Sequence, residues 1–195
     1  MRLQSAELEL VFSTDPVVGW RIWRAERGID RKISALELAH ELREAEREGV
    51  ERPAESLFHY RLRSLTQPSF WPLRARMESF CSAEQRLQTH PQSPGPEARC
   101  ECGVWAFHSR DLAERTLLDY AQSGGTLAVG RVTLWGRIIE QELGWRAQFG
   151  YPVELEVYGA SEEIAADLAL AYGIDAISKP WPATGPLTKP GSQAA

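Results

Sequence analysis

Alternation of apolar and polar positions dominates the chain, broken by a few stretches of helical period. Leu8 to Phe12 reads as a short strand that Asp15-Pro16 would turn. In Gly19-Trp20-Arg21-Ile22-Trp23-Arg24, alternation sends Trp20, Ile22 and Arg24 to one face and Arg21 and Trp23 to the other. His59 to Leu65 alternates again and stops at Gln67-Pro68, and Met77 to Phe80 predicts a short strand. Val104 to Phe107 reads as a buried strand. Thr126 to Glu142 is long for one strand, with Gly130 and Gly136 marking bends. Gly144 fits a hairpin turn, after which Trp145 to Tyr151 returns antiparallel as far as Pro152. Val153 to Val157 and Ile174 to Ile177 complete the predicted strands.

Helical spacing occurs in three places. Over 34–48, Leu38, Leu42 and Ala45 form a narrow stripe, Ser34 and Glu37 make a capping box, and Gly49 ends the helix. A second helix starts at Ser109 or Asp111 and runs to Gln122, with Ala113, Leu117 and Tyr120 inward. A third covers 162–172 after Ser161, with Ile164, Leu168 and Ala171 inward and Gly173 as its stop. Strands that dominate and helices that enter singly predict an α+β fold, a bent, mostly antiparallel sheet with three single helices and a metal-stapled loop. Residues 1–178 form the expected domain, with 34–49 as an inserted helix and 81–103 as the loop. Four prolines over 179–195 predict a disordered tail.

Composition narrows the function classes. The length of 195 residues suits one domain. A net charge of -5 disfavours a dedicated nucleic-acid binder, whose affinity comes from neutralising phosphates. No run of apolar residues has the length of a membrane span, and the first residues lack a secretory pattern. Three cysteines, two of them only two positions apart, make a poor disulfide framework, and a reducing cytoplasm is the simplest compartment.

The chemistry concentrates between Cys81 and Gly103. Cys81, His90, Cys100 and Cys102 supply three thiols and an imidazole in a Pro-rich loop, the ligand types that tetrahedral zinc takes. A structural ion would hold a loop that has little core of its own, and His108 is a reserve ligand. The alternative is three free cysteines and a surface histidine. With only three protein ligands, the fourth position would hold water, with Glu101 nearby as a base.

A second group is the candidate ligand groove of Trp135, Glu140, Glu142 and Arg146. Two carboxylates on one face can divide acid and base roles, although such a trio is more commonly a solvated ion pair. A third is the Trp20-Arg21-Ile22-Trp23-Arg24 and Tyr60-Arg61-Leu62-Arg63 interleaving, a pattern by which sheets stack single-stranded nucleic acid. The bland reading there is a half-buried sheet with an Arg-rich outer face.

Several blocks together resemble an uncharacterised family of small bacterial proteins. They are Gly19-Trp20-Arg21, Tyr60 to Leu65 with Trp71-Pro72, and Cys81 with His90-Pro91 and Cys100 to Ala106. The longest are Gly130 to Glu140, Gly144-Trp145-Arg146-Ala147 and Tyr151-Pro152. The resemblance covers most of residues 19–178, makes 34–48 an insertion, and departs at Gln141, where the family pattern has His. It implies no particular reaction. The expectation is therefore a zinc-stabilised binding protein, an adaptor or regulator recognising another protein. Nucleic-acid binding through the Arg/aromatic sheet face is the alternative, and a metal- or carboxylate-dependent hydrolase the second alternative.

Overall fold

A computed structural model describes residues 10–29, 43, 47, 58–66, 69–79, 81, 95–98, 100–122 and 124–181. Among the described residues seven strands form a single sheet: β1 (Leu10–Ile29), β2 (Phe58–Ser64), β3 (Met77–Glu78), β4 (Val104–Phe107), β5 (Leu127–Gln141), β6 (Gly144–Tyr158) and β7 (Asp175–Lys179). Two helices are present among the described residues, α1 (Arg110–Ala121) and α2 (Glu162–Tyr172). The expectation of an α+β fold with three single helices is thus corrected: the protein is mostly sheet. The helix expected over 34–48 lies outside the described residues except for Arg43 and Arg47, which are helical.

The physical reason is that prolines read as strand ends are absorbed by bulges. Ser13 pairs with Gly136 and Val17 with Leu134, so Asp15-Pro16 occupies a register shift and β1 runs through. Likewise Val132 pairs with Pro152 and Arg131 with Glu154, which leaves Val153 as the extra residue and lets β6 continue. On β5 the shift falls between Trp135 and Ile138. Gly136 there takes φ +81, and the Arg137 amide donates to Gln148 Oε1 (3.4 Å) in place of a ladder partner.

The long strands curl. β1 pairs with β5, β5 with β6, β6 with β4, and β4 returns to β1 through Trp20 and Phe107, so the pairings close on themselves. β2 extends the outer edge of β1, whereas β3 and β7 line the outer edge of β6. All these ladders are antiparallel except β6 with β7.

Both faces of β1 and β5 are covered. On one side Trp23, Leu62, Trp71, Leu134 and Leu155 pack with Leu168 and Tyr172 of α2. On the other, Ile22, Leu127 and Val129 pack with Ala113 and Leu117 of α1. Ser109 caps α1 by accepting from the Leu112 amide (3.4 Å). Gly173 (φ 66) ends α2, and its amide donates to Ala169 O at 2.7 Å. The face of α2 that is fully buried is Ala165, Leu168 and Tyr172, with Ile164 and Ala171 flanking it. The ordered chain passes residue 178: Lys179 ends β7 and Trp181 stacks against Tyr158 (5.7 Å). Residues 182–195 lie outside the described set.

Candidate metal centre

The loop before β4 gathers the three cysteines. The ligand atoms of Cys81, Cys100 and Cys102 all lie within 4.8 Å of one another, and Cys81 Sγ is 3.5 Å from Cys100 Sγ. Tetrahedral zinc with Zn–S bonds of about 2.3 Å holds its sulfurs about 3.8 Å apart. The cluster therefore needs only a small rearrangement to take such an ion. The spacing is well outside a disulfide bond, and none of the three cysteines is disulfide-bonded. His90 lies outside the described residues.

Local geometry explains how the thiols converge. The Cys102 amide approaches Cys100 Sγ (3.4 Å), as expected when a tight turn brings residues two apart round one point. Gly103 adopts φ +134, and a Cβ there would stand 3.0 Å from Arg146 Cβ, so the exit from the turn requires glycine. Burial, reinforced by the hydrogen bond to Cys100, pushes the Cys102 thiol up to about 12. A bound divalent cation reverses that preference by stabilising the thiolate, and the protons leave as the metal enters.

The hairpin of β5 and β6 holds this turn from below. Arg146 is 2% exposed and donates to the carbonyls of Cys100, Cys102 (3.1 Å) and Glu97 (3.4 Å). Its guanidinium also lies 5.3 Å from the Trp105 ring. Burial lowers its pKa, an effect opposed by the neighbouring thiols and Glu101. Arg137 pairs with Glu97 on the same segment. Two arginines thus tie residues 97–102 to the hairpin, and a fixed positive charge sits beside the place where thiolates would form.

The other sequence candidates are dispersed. Arg146 is committed to the turn. Glu140 is exposed and lies 3.4 Å from His108 Nε2. His108 stacks on Trp145 (4.2 Å) and is not part of the thiol cluster. Trp135 is against Phe149 at 6.0 Å, while Glu142 lines a separate cavity. In the Trp/Arg interleaving, Trp23 is fully buried and Arg61 is 4% exposed, donating to Trp71 O (3.1 Å). Arg63 pairs with Glu26 at 3.0 Å. Strand alternation separates the two faces but does not say which is covered, and here α2 and the Trp71 segment cover the face carrying Trp23.

The cavity that Glu142 lines has a volume of about 700 Å³, and sequence reading gave no sign of it. Its walls come from β1, β4, the end of α1, the segment after β2, the turn joining β5 to β6, and the cysteine loop itself through Glu101, Cys102 and Gly103. No helix among the described residues is long and apolar enough to cross a membrane. Comparison with family models, curated proteins and solved structures finds no match to this chain.

Proposed function

We propose that the protein is a zinc-stapled binding protein that serves as an adaptor or regulator for another protein, in a reducing compartment such as the cytoplasm. The observation that carries the reading is the convergence of three thiols within 4.8 Å in a loop anchored by two arginines. Thiolates are soft donors and select zinc among the abundant divalent ions. His90 is the fourth ligand in this reading, and a closed shell of four protein ligands makes the ion structural rather than catalytic. Its role is to fasten residues 81–103 to β4 and the hairpin, next to the exposed Trp105 and Leu143. Exposed aromatic and aliphatic side chains beside a rigid turn are suited to a partner surface. The resemblance of residues 19–178 to a family of small bacterial proteins with the same Cys/His segment belongs to this reading.

The test is elemental analysis of the full chain purified without chelator. About one equivalent of zinc per chain is expected, with Cys100→Ser and Cys102→Ser each retaining far less. Native protein carrying well under one equivalent, and failing to take zinc up on titration, sinks the proposal.

A further inference from the structure

The cavity beside the cysteine loop contains a cation to which no described residue supplies an anion. Arg21 extends from β1 into its lining, with Ser64, Trp71, Trp105, Phe107 and Tyr120 around it. Its Nη1 donates to the Trp105 carbonyl and its Nη2 to Ser64 Oγ (3.2 Å). The guanidinium lies 5.2 Å from the Trp71 ring centre and 6.0 Å from that of Trp23. No carboxylate among the described residues forms an ion pair with it, and its Nε, shielded from solvent, has no acceptor. Burial lowers the Arg21 pKa to about 10, which still leaves it charged at neutral pH. A part-buried charge held, among the described residues, by neutral acceptors and ring faces is costly, and an entering anion would relieve that cost.

The rest of the lining restricts what that anion can be. Among the described residues Arg21 is the only cationic side chain in the wall, whereas Glu78, Glu101 and Glu142 line it as exposed residues. One guanidinium facing three carboxylates suits a single negative charge and disfavours a phosphate dianion. Arginine also matches the planar geometry of a carboxylate. The aromatic walls suit an apolar body behind the charge, and the exposed glutamates favour a positive group further out.

We propose that this cavity is a binding site for a carboxylate terminus joined to an apolar body, with Arg21 and Ser64 holding the carboxylate. Two sources carry that chemistry: a small free acid and the C-terminus of a peptide chain ending in an apolar residue. The inference extends the binding-protein reading without depending on the metal, because Arg21, Ser64, Trp71 and Tyr120 all lie outside the cysteine loop.

The test titrates the full chain with 3-phenylpropionate and with its neutral amide, following tryptophan fluorescence and binding heat. A parallel pair is a short Lys-rich peptide ending in Phe, as free acid and as C-terminal amide. At least one acid is expected to bind with Kd below about 1 mM and its amide about tenfold more weakly. Preference confined to the peptide acid assigns the site to a partner's terminus; preference confined to the small acid assigns it to a free metabolite. Arg21→Gln is expected to abolish the preference for acid over amide, a result that loss of packing alone would not produce. Thr116→Phe keeps the charge, narrows the cavity, and is expected to weaken acid and amide alike by about tenfold. Should Arg21→Gln not fold, the native acid-to-amide ratio and Thr116→Phe decide the matter. Equal affinity for acid and amide, no saturable binding of either acid, or a preference that persists in folded Arg21→Gln overturns the proposal. Zinc measured on the same samples separates the two readings: failure of carboxylate binding in zinc-loaded protein removes only the cavity, and carboxylate binding by protein that neither carries zinc nor takes it up on titration removes only the staple.

Discussion

Gly144→Ala probes the closure of the sheet, on which both the cysteine turn and the cavity depend. β4 lies between two glycines. A Cβ added to Gly19 on β1 would stand 2.8 Å from Ala106 Cβ, and one added to Gly144 on β6 would stand 1.9 Å from Ala106 O and 2.8 Å from its carbonyl carbon. An ordinary carbon–oxygen contact is about 3.3 Å, so β4 or β6 must retreat by more than about 1 Å. The neighbour is strand backbone and has no rotamer by which to yield. That retreat strains the pairs from Val104↔Ala147 to Phe107↔Gly144 and the single Trp20↔Phe107 bridge. It also loosens the packing of Val104 and Ala106, both buried. With each strained backbone bond worth about 1 kcal/mol and packing added, a loss of about 3–4 kcal/mol is expected. In a chain of this size that lowers Tm by about 10 °C. The assay is urea and thermal unfolding followed by tryptophan fluorescence, with Gly124→Ala as the control. Gly124 has φ +70 but nothing within 4 Å of its added Cβ, so only the backbone penalty of about 1 kcal/mol applies. A Gly144→Ala protein no less stable than Gly124→Ala refutes the argument that β4 is held by close backbone approach.

If the cysteines hold zinc as proposed, a strong chelator is expected to lower Tm and to bare residues 81–103 to limited proteolysis, and zinc affinity should fall as pH is lowered because protons compete for the thiolates. Tyr172 gives a pH signature of its own. Its hydroxyl accepts from the Leu62 amide (2.9 Å) and donates to Trp71 O (3.1 Å), and burial raises its pKa to about 12. The unfolded phenol titrates near about 10, so the stabilisation is complete below that pH and is lost as pH rises through the folded value. Tyr172→Phe is therefore expected to cost about 1–2 kcal/mol at neutral pH and to flatten the alkaline decline seen in denaturant titrations. Tyr158, also raised to about 12 by burial, keeps part of that decline in the variant.

Local signals read well wherever the determining contact is local. Ser109, Ser161 and Gly173 mark the helix ends at the positions where the chain places them, because the contacts there join residues only a few positions apart: Ser109 caps through its side chain, whereas Ser161 makes no side-chain cap bond and only its carbonyl accepts, from the Ile164 and Ala165 amides. Pro16 and Pro152 misled for the converse reason. A proline ends a strand only if its missing N–H and fixed φ meet a ladder partner, and whether one is present depends on the register of β5 opposite. The arginines show the same limit. Arg21 and Arg61 read as part of a soluble outer face and Arg146 as part of a ligand groove or a solvated ion pair, yet they serve respectively a cavity wall, the Trp71 carbonyl and the cysteine turn.

What the sequence by itself determined is the ligand chemistry: three thiols, two of them one turn apart and followed by a glycine, set down in a Pro-rich loop. It also determined the segments that alternate and the two helices at Arg110–Ala121 and Glu162–Tyr172, since these follow from side-chain type and short-range period. The tertiary structure alone decided that Cys81 meets Cys100, 19 positions on, and Cys102, that β4 closes the sheet between Gly19 and Gly144, and that a cavity opens around an Arg21 with no carboxylate partner among the described residues. Each of these is a meeting of residues far apart in the chain. Their energy comes from pairing register and close packing, which exist only once the long strands have bent round to face one another.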